Sequence, residues 1–181
     1  EPSTGSVNIA PKKRMSVLKQ NQNMYDEYTV MDTVIMGNQR LYDCGNEIFG
    51  QDFSRRMIEI AAEKMSGAHL YEGDFSKGLC SELLEQRYDF IVSTYALHHL
   101  DDSQKVNFIN GLLPLLNDGG KILIGDVAFD TRAELEQCRA NSGDDWDSDE
   151  IYFVFDEMKP FFPKMTFERM SYCSGVLTLC K

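Results

Sequence analysis

The sequence has no apolar run near the ~18 residues that a membrane span requires, so no membrane association is expected. No apolar stretch comes after the basic cluster Lys12-Lys13-Arg14 either, and the N-terminus does not read as a signal peptide. Its five cysteines (Cys44, Cys80, Cys138, Cys173, Cys180) are odd in number and irregularly spaced, and none forms a CxxC pair. That argues against a zinc module or a disulfide framework and for reduced thiols in a cytoplasmic protein. No His/Cys/Asp/Glu group stands at metal-ligand spacing along the chain, so no metal is expected. Positive charge is also scarce: 18 Lys and Arg face 29 Asp and Glu, a net charge of −11. A polyanion needs clustered cations, so nucleic acid is not expected as a partner. Internal repeats and low-complexity segments are absent.

A chain of 181 residues is long enough to bury a sizeable core as one domain. Residues 1–14 read as a flexible tail and 15–181 as a single domain. Spaced apolar positions (Met15, Leu18, Met24, Tyr28) predict a helical segment over 15–36, although Val30–Met36 is too short to assign. Strands are expected at 47–52, 69–72, 88–94, 121–129, 165–171 and 175–180. Helices are expected from Ser54 to about Met65, over 81–86, from Asp101 to about Leu116, from Thr131 to about Arg139, and over 151–159. Pro114 should bend or shorten the third of these helices. Asn117-Asp118-Gly119-Gly120 reads as a tight turn. Tyr88–Thr94 is nearly continuous in apolar character, as a parallel strand covered on both faces would be. Strand–helix repeats ending in a hairpin around Ser174-Gly175 predict a three-layer α/β sandwich, with a mostly parallel twisted sheet and an antiparallel C-terminal end. The acidic run 144–150 reads as a solvated loop or helix start, or alternatively as an acidic lid over a cationic substrate.

Four short signatures carry the chemistry. They are Gly50-Gln51-Asp52-Phe53-Ser54, then Glu72-Gly73-Asp74-Phe75, then Asp89 through Leu100, and last Gly119-Gly120-Lys121-Ile122-Leu123-Ile124. Each puts a carboxylate, a hydroxyl or a glycine turn at the end of an expected strand, which is where open α/β sheets bind ligands. Asp52 could accept both hydroxyls of a ribose, or only favour the start of the Ser54 helix. Asp74 could hold a ligand or belong to an ordinary turn. Ser93 and Thr94 suit a narrow cleft, or cap the helix after the strand. Tyr95 suits a pocket wall. His98 and His99 could act as a base, although packing is the blander reading; His69, inside a strand, reads as structural. Asp126 could orient a substrate amine or begin a loop.

Taken in order and separation, these signatures resemble the class I S-adenosylmethionine-dependent methyltransferases, closest to small bacterial enzymes of the small-molecule type. The likeness covers roughly 47–127 and more weakly the last hairpin. It implies a Rossmann-like fold and methyl transfer from S-adenosylmethionine to a small-molecule acceptor. It also implies a cofactor set of Asp52 at the sugar, Phe53 against the purine, Asp74 and Phe75 at the adenine, and Ser93 and Thr94 beside the methionine part. Tyr25, Tyr28, Tyr95 and Asp126 would face the substrate, while His98, His99 and Tyr95 are candidates for a catalytic role. The family's first strand ends in an acid and a glycine-rich turn, which Tyr42-Asp43-Cys44-Gly45 begins, so Asp43 and Gly45 join the cofactor set. Asp52 then comes too soon, because a parallel crossover needs about a dozen residues or more. Either a segment is missing between Gly45 and Asp52, or the protein lacks the loop and is a non-catalytic binding or regulatory relative with a degenerate fold. Omission is the preferred reading, since a lost crossover would leave apolar sheet surface in water. A nicotinamide-dependent oxidoreductase would share the acid at 52 but not Gly73-Asp74-Phe75. Neither the acceptor nor the oligomeric state is legible. Substrate choice is expected to lie in the N-terminal segment and in the insert at about 130–160.

Overall fold

The computed structural model of the chain describes residues 47–181, apart from Ser66 and the side chain of Asp144. The expected tail 1–14, the segment 15–36 with Tyr25 and Tyr28, and Asp43 and Gly45 lie outside the described residues.

Strand β1 (Phe49–Asp52) leads into helix α1 (Arg55–Lys64). Ser54 caps that helix, its hydroxyl accepting from Met57 N at 3.4 Å. Ile58, Ala61 and Met65 are half-buried at helical spacing, whereas Met57 is largely exposed. Strand β2 (His69–Glu72) pairs parallel with β1, with Asp52 opposite Glu72. His69 stacks on Phe49 with ring centres 4.7 Å apart, a packing role. A single 3-10 turn over 75–77 comes next, then α2 (Ser81–Leu84) and strand β3 (Tyr88–Thr94).

A 3-10 turn (Leu97–His99) leads to α3 (Asp102–Leu112), which opens with a full capping box between Asp101 and Gln104. Pro114 shortens this helix as expected. The regular turns stop at Leu112, and Leu113–Leu115 is 3-10, because proline has no N–H to continue the ladder.

Strand β4 (Leu116–Phe129) is longer than expected. Asn117–Gly120 is not a turn before the strand but a bulge within it. Between the Tyr88–Leu116 and Phe90–Lys121 pairs, β3 advances by two residues and β4 by five. Gly119 (φ 78°) supplies the left-handed residue, and a Cβ on Gly120 would sit 2.9 Å from Tyr88 O. Helix α4 (Arg132–Ser142) is capped by Thr131 and runs three residues past the expected end at Arg139.

The expected helix over 151–159 is a second correction. Phe153–Val154 forms strand β5, parallel to Ala128–Phe129, and only Phe155–Met158 is helical (α5). Pairing with the end of β4 buries Phe153 and Val154 almost completely, and that tertiary gain overrides the local helical pattern. Strands β6 (Thr166–Arg169) and β7 (Ser174–Cys180) form the expected hairpin.

The fold is α/β with a mixed sheet. Its strand order is β3-β4-β7-β6, with β5 also on β4; β3 and β5 are parallel to β4, and β7 is antiparallel. Among the described residues β1 and β2 form a separate parallel pair, joined to β3 through the Phe49 and Tyr88 rings, edge-on at 6.0 Å. Strand β3 is not sealed on both faces, since Asp89 and Phe90 are exposed. The core lies between the sheet and α3, with Ile109 and Leu112 against Leu116, Ile122, Ile124, Leu177 and Leu179. A smaller cluster of Phe129, Leu135 and Val154 supports Trp146 and Tyr152. The described cysteines are all free. Among the described residues no helix is long and apolar enough to cross a membrane.

Candidate functional site

Parallel pairing of β1 and β2 brings their carboxyl ends to one edge. Asp52 is the last residue of β1, and Asp74 lies two residues past Glu72, its register partner. Gly73 N donates to Asp52 O at 2.9 Å, tying the two ends together. Asp52 Oδ1 accepts from Ser54 N at 2.7 Å; Oδ2 has no protein partner among the described residues. Phe53 beside it is 66% exposed, which leaves a ring face open at the edge.

Asp74 is more committed. Its Oδ1 accepts from Ser76 N at 3.0 Å and Ser76 Oγ at 2.6 Å, and Oδ2 pairs with Lys77 Nζ at 3.0 Å. The Ser76 hydroxyl first, then Lys77, hold this carboxyl below the usual carboxylate range. Phe75 turns inward onto the core, with its ring centre 5.9 Å from that of Phe108. The edge therefore presents Asp52 and Phe53 directly, and Asp74 only through a carboxylate shared with its own turn.

A second edge lies at the end of β3. Ser93 and Thr94 are half-buried opposite Ile124 and Gly125 of β4, and neither hydroxyl has a protein partner among the described residues. Tyr95 comes next with φ 47°, a left-handed conformation unusual for a bulky residue. It is held by Tyr95 N donating to Gly125 O at 2.8 Å, and its side chain is 55% exposed. Such strain clusters where a chain must turn sharply at a ligand site.

The sharp turn at Tyr95 delivers the 3-10 turn Leu97–His99 onto β4, where Asp126 fixes it. Asp126 sits within the strand rather than at a loop and is buried. Its Oδ2 accepts from Leu97 N at 3.1 Å; its Oδ1 accepts from Val127 N at 2.8 Å and lies 2.7 Å from His98 Nδ1. His98, also buried, turns its other nitrogen, Nε2, toward Glu150 Oε1 at 3.3 Å. His99 is exposed, with its ring centre 4.3 Å from that of His98.

Three groups here escape a reading along the sequence: Glu150, Tyr152 and Lys105. Glu150 closes the acidic run, yet it is half-buried and turned inward, while the described side chains of Asp145, Asp147, Ser148 and Asp149 are exposed. Burial first, and the neighbouring Glu150 carboxylate second, push the Tyr152 phenol pKa up. Lys105 is fully buried in α3, where a charged residue would be expected to face solvent. Its Nζ donates to Ile151 O at 2.6 Å and Asp102 Oδ1 at 3.0 Å and lies 4.8 Å from the centre of the Phe153 ring. Burial lowers its pKa and Asp102 opposes the shift. Together with Ile151 N donating to His98 O at 2.8 Å, this lysine clips the segment around 150–153 over the histidines. The only local hint is the Asp102–Lys105 spacing on one helix face.

Residues 31–122 match the family model described as a methyltransferase domain. An uncharacterised methyltransferase of Anoxybacillus flavithermus is 34% identical over 140 residues, which cover 68% of this chain and 65% of the relative. One from Bacillus cytotoxicus is 42% identical over 91 residues, covering 50% and 41%. The chain thus spans less than two thirds of the length of these relatives. Among solved structures, the magnesium protoporphyrin IX methyltransferase of Synechocystis, with S-adenosylhomocysteine bound, aligns at TM-score 0.56 and 15% identity, over 78% of this chain and 67% of that one. An N-methyltransferase of Bradyrhizobium japonicum aligns at TM-score 0.51 and 15% identity, over 74% and 66%. At such identities the structures establish a shared fold.

Proposed function

This chain belongs to the methyltransferase-domain family, and from that premise we propose that it transfers a methyl group from S-adenosylmethionine to a small-molecule acceptor. The observation that carries the proposal is the paired edge of β1 and β2, with an Asp52 oxygen that is unshared among the described residues beside the exposed Phe53 ring. A ribose diol fits such an oxygen, because both hydroxyls can donate to one carboxylate, and a purine can stack on or lie against the Phe53 ring. The residues present therefore fit the nucleoside.

In this reading Asp52 takes the ribose. Asp74 accepts from the adenine amine through Oδ2, once the exposed Lys77 swings aside. Phe75 supports the turn from the core side. The open hydroxyls of Ser93 and Thr94 face the methionine part, and Asp43 and Gly45 complete the cofactor set. Tyr95, thrust outward by its left-handed backbone, walls the acceptor side. Asp126 reaches an acceptor only through His98, because its own oxygens are taken up by the Leu97–His99 turn and by Val127 N. His98 and His99 stand where they could take a proton from the acceptor.

Bound S-adenosylmethionine supplies a methyl group already activated on a sulfonium. The chain's own task is alignment and exclusion of water. A strong base is required only for a poorly nucleophilic acceptor.

Calorimetric titration of the whole chain with S-adenosylhomocysteine tests the reading. Saturable binding is expected. Asp52→Ala should weaken it at least about tenfold, since a hydrogen bond to a charged group contributes about 1.5–3 kcal/mol. Absence of both heat and thermal shift would defeat the proposal and favour a non-catalytic protein on a degenerate fold, the alternative raised by the short interval between Gly45 and Asp52.

A further inference from the structure

The family reading offers His98 and His99 only a proton to take and gives Glu150 no role. Asp126, His98, Glu150 and His99 converge beyond the end of β3, apart from the Asp52–Asp74 edge. We infer that His98, His99 and Glu150 form a binding site for a divalent transition-metal ion of the zinc type, with Asp126 as the acid that orients His98.

Three independent features of the geometry support this. First, one donor atom from each of the three residues lies within 4.8 Å of the others. Ligands about 2.1 Å from a tetrahedral Zn2+ stand about 3.4 Å apart, so small side-chain rotations close the site. Second, Asp126 is an acceptor facing His98 Nδ1 at 2.7 Å. The ring is thereby oriented with Nε2 toward Glu150 Oε1, 3.3 Å away. A cation placed there would meet the His98 imidazole and the Glu150 carboxylate at once, with the second imidazole of His99 beside it.

Third, the outer shell is already built. Metal-bound histidines usually donate their second nitrogen to a carboxylate, which fixes ring orientation. Asp126 fills that place, and it is itself held by Leu97 N and Val127 N. The segment that carries Glu150 is held by Lys105 and by the Ile151–His98 backbone bond. Two imidazole donors favour zinc, nickel, copper or iron over magnesium or calcium. Three protein ligands leave a fourth position open, as in catalytic rather than structural zinc sites. That open position lies beside the turn begun by Tyr95, so an acceptor with an oxygen or nitrogen donor could occupy it. Glu150 stands 51 positions after His99 in the sequence, which is why ligand spacing along the chain does not reveal the group.

The test uses the whole chain, stripped with a chelator and kept reduced, then titrated with Zn2+ by calorimetry and with Co2+ by absorption. One equivalent should bind. The Co2+ complex should show ligand-field bands without a thiolate charge-transfer band. Glu150→Gln and His99→Gln, both outside the core, should each weaken binding at least about tenfold while circular dichroism stays unchanged, and Asp126→Asn should weaken it about 10–100-fold. Zn2+ should raise the melting temperature of the wild type and not that of Glu150→Gln. The inference falls if excess metal gives neither heat nor ligand-field bands. It falls equally if both glutamine variants bind like the wild type, or if a thiolate band shows that cysteines hold the ion. None of these outcomes depends on S-adenosylmethionine, so this site and the methyl-transfer reading stand or fail separately.

Discussion

Asp101 shows how one side chain sets an element and its response to pH. Its Oδ1 accepts from Gln104 N at 2.8 Å and from Ser103 Oγ at 2.8 Å, while Gln104 returns a bond to Asp101 N. The Gln104 backbone N–H first, then the Ser103 hydroxyl, draw the Asp101 pKa below its ordinary 3.8. A carboxyl whose folded pKa is depressed stabilises the fold fully above its unfolded pKa, and that contribution is lost as pH falls through the folded value. Asp101→Asn should therefore flatten the acid limb of the stability curve below about pH 4 and leave the neutral region nearly unchanged, because Asn caps almost as well. Asp101→Ala should instead lower the melting temperature by a few degrees at neutral pH as well. Thermal melts across pH on the three proteins separate charge from cap. Asp101, Ser54 and Thr131 are all legible in the sequence because capping is local: a short polar side chain, three residues and one turn suffice.

At the scale of elements, the clip between α3 and the 150–153 segment carries the clearest consequence. Lys105→Ala removes a buried ammonium with two hydrogen bonds and leaves a void beside Phe153. A loss of about 2–4 kcal/mol is expected from those two effects together. Amide exchange at Ile151 should quicken more than at Ile122 in the sheet; uniform acceleration would show that the lysine supports the whole core instead. The features hidden from the sequence divide in the same way between near and far. Residues 151–159 have a helical pattern, but Phe153 and Val154 find a strand partner 25 positions away, from Ala128 to Phe153, and no local rule contains that partner. Asn117–Gly120 has turn chemistry, yet β3 continues alongside it, so the chain resumes the same strand after a bulge. Lys105 has the look of solvent-facing helix because burial of a lysine depends on what is laid over it. At the candidate site, Asp52, Asp74, Ser93 and Thr94 are visible because strand ends announce themselves in glycine and polar residues. The assembly of Asp126, His98 and Glu150 is not, since it joins three elements through tertiary contacts.

For the whole molecule, a ligand that binds only the folded state must shift its stability. At a hundred times its dissociation constant, S-adenosylhomocysteine should add about 2.7 kcal/mol, which raises the melting temperature of a domain this size by about 5–10 °C. Differential scanning fluorimetry over a ligand series reads this directly, and a flat series would contradict a nucleoside site at the β1–β2 edge.

The molecule is also organised around one strand. β4 is parallel to β3 and β5 and antiparallel to β7, its pairing with β7 running from Lys121–Cys180 to Val127–Ser174. The last of these partners to leave the ribosome is β7. Until Ser174–Cys180 emerges, a nascent chain carries a long hydrophobic strand with one row of amides and carbonyls unmatched, the condition under which strands recruit each other from neighbouring polypeptides. Synthesis of this protein is thus a race in which the closing hairpin must arrive before another chain does, and a chain cut short before Ser174 is a nucleus for aggregation rather than a smaller folded domain.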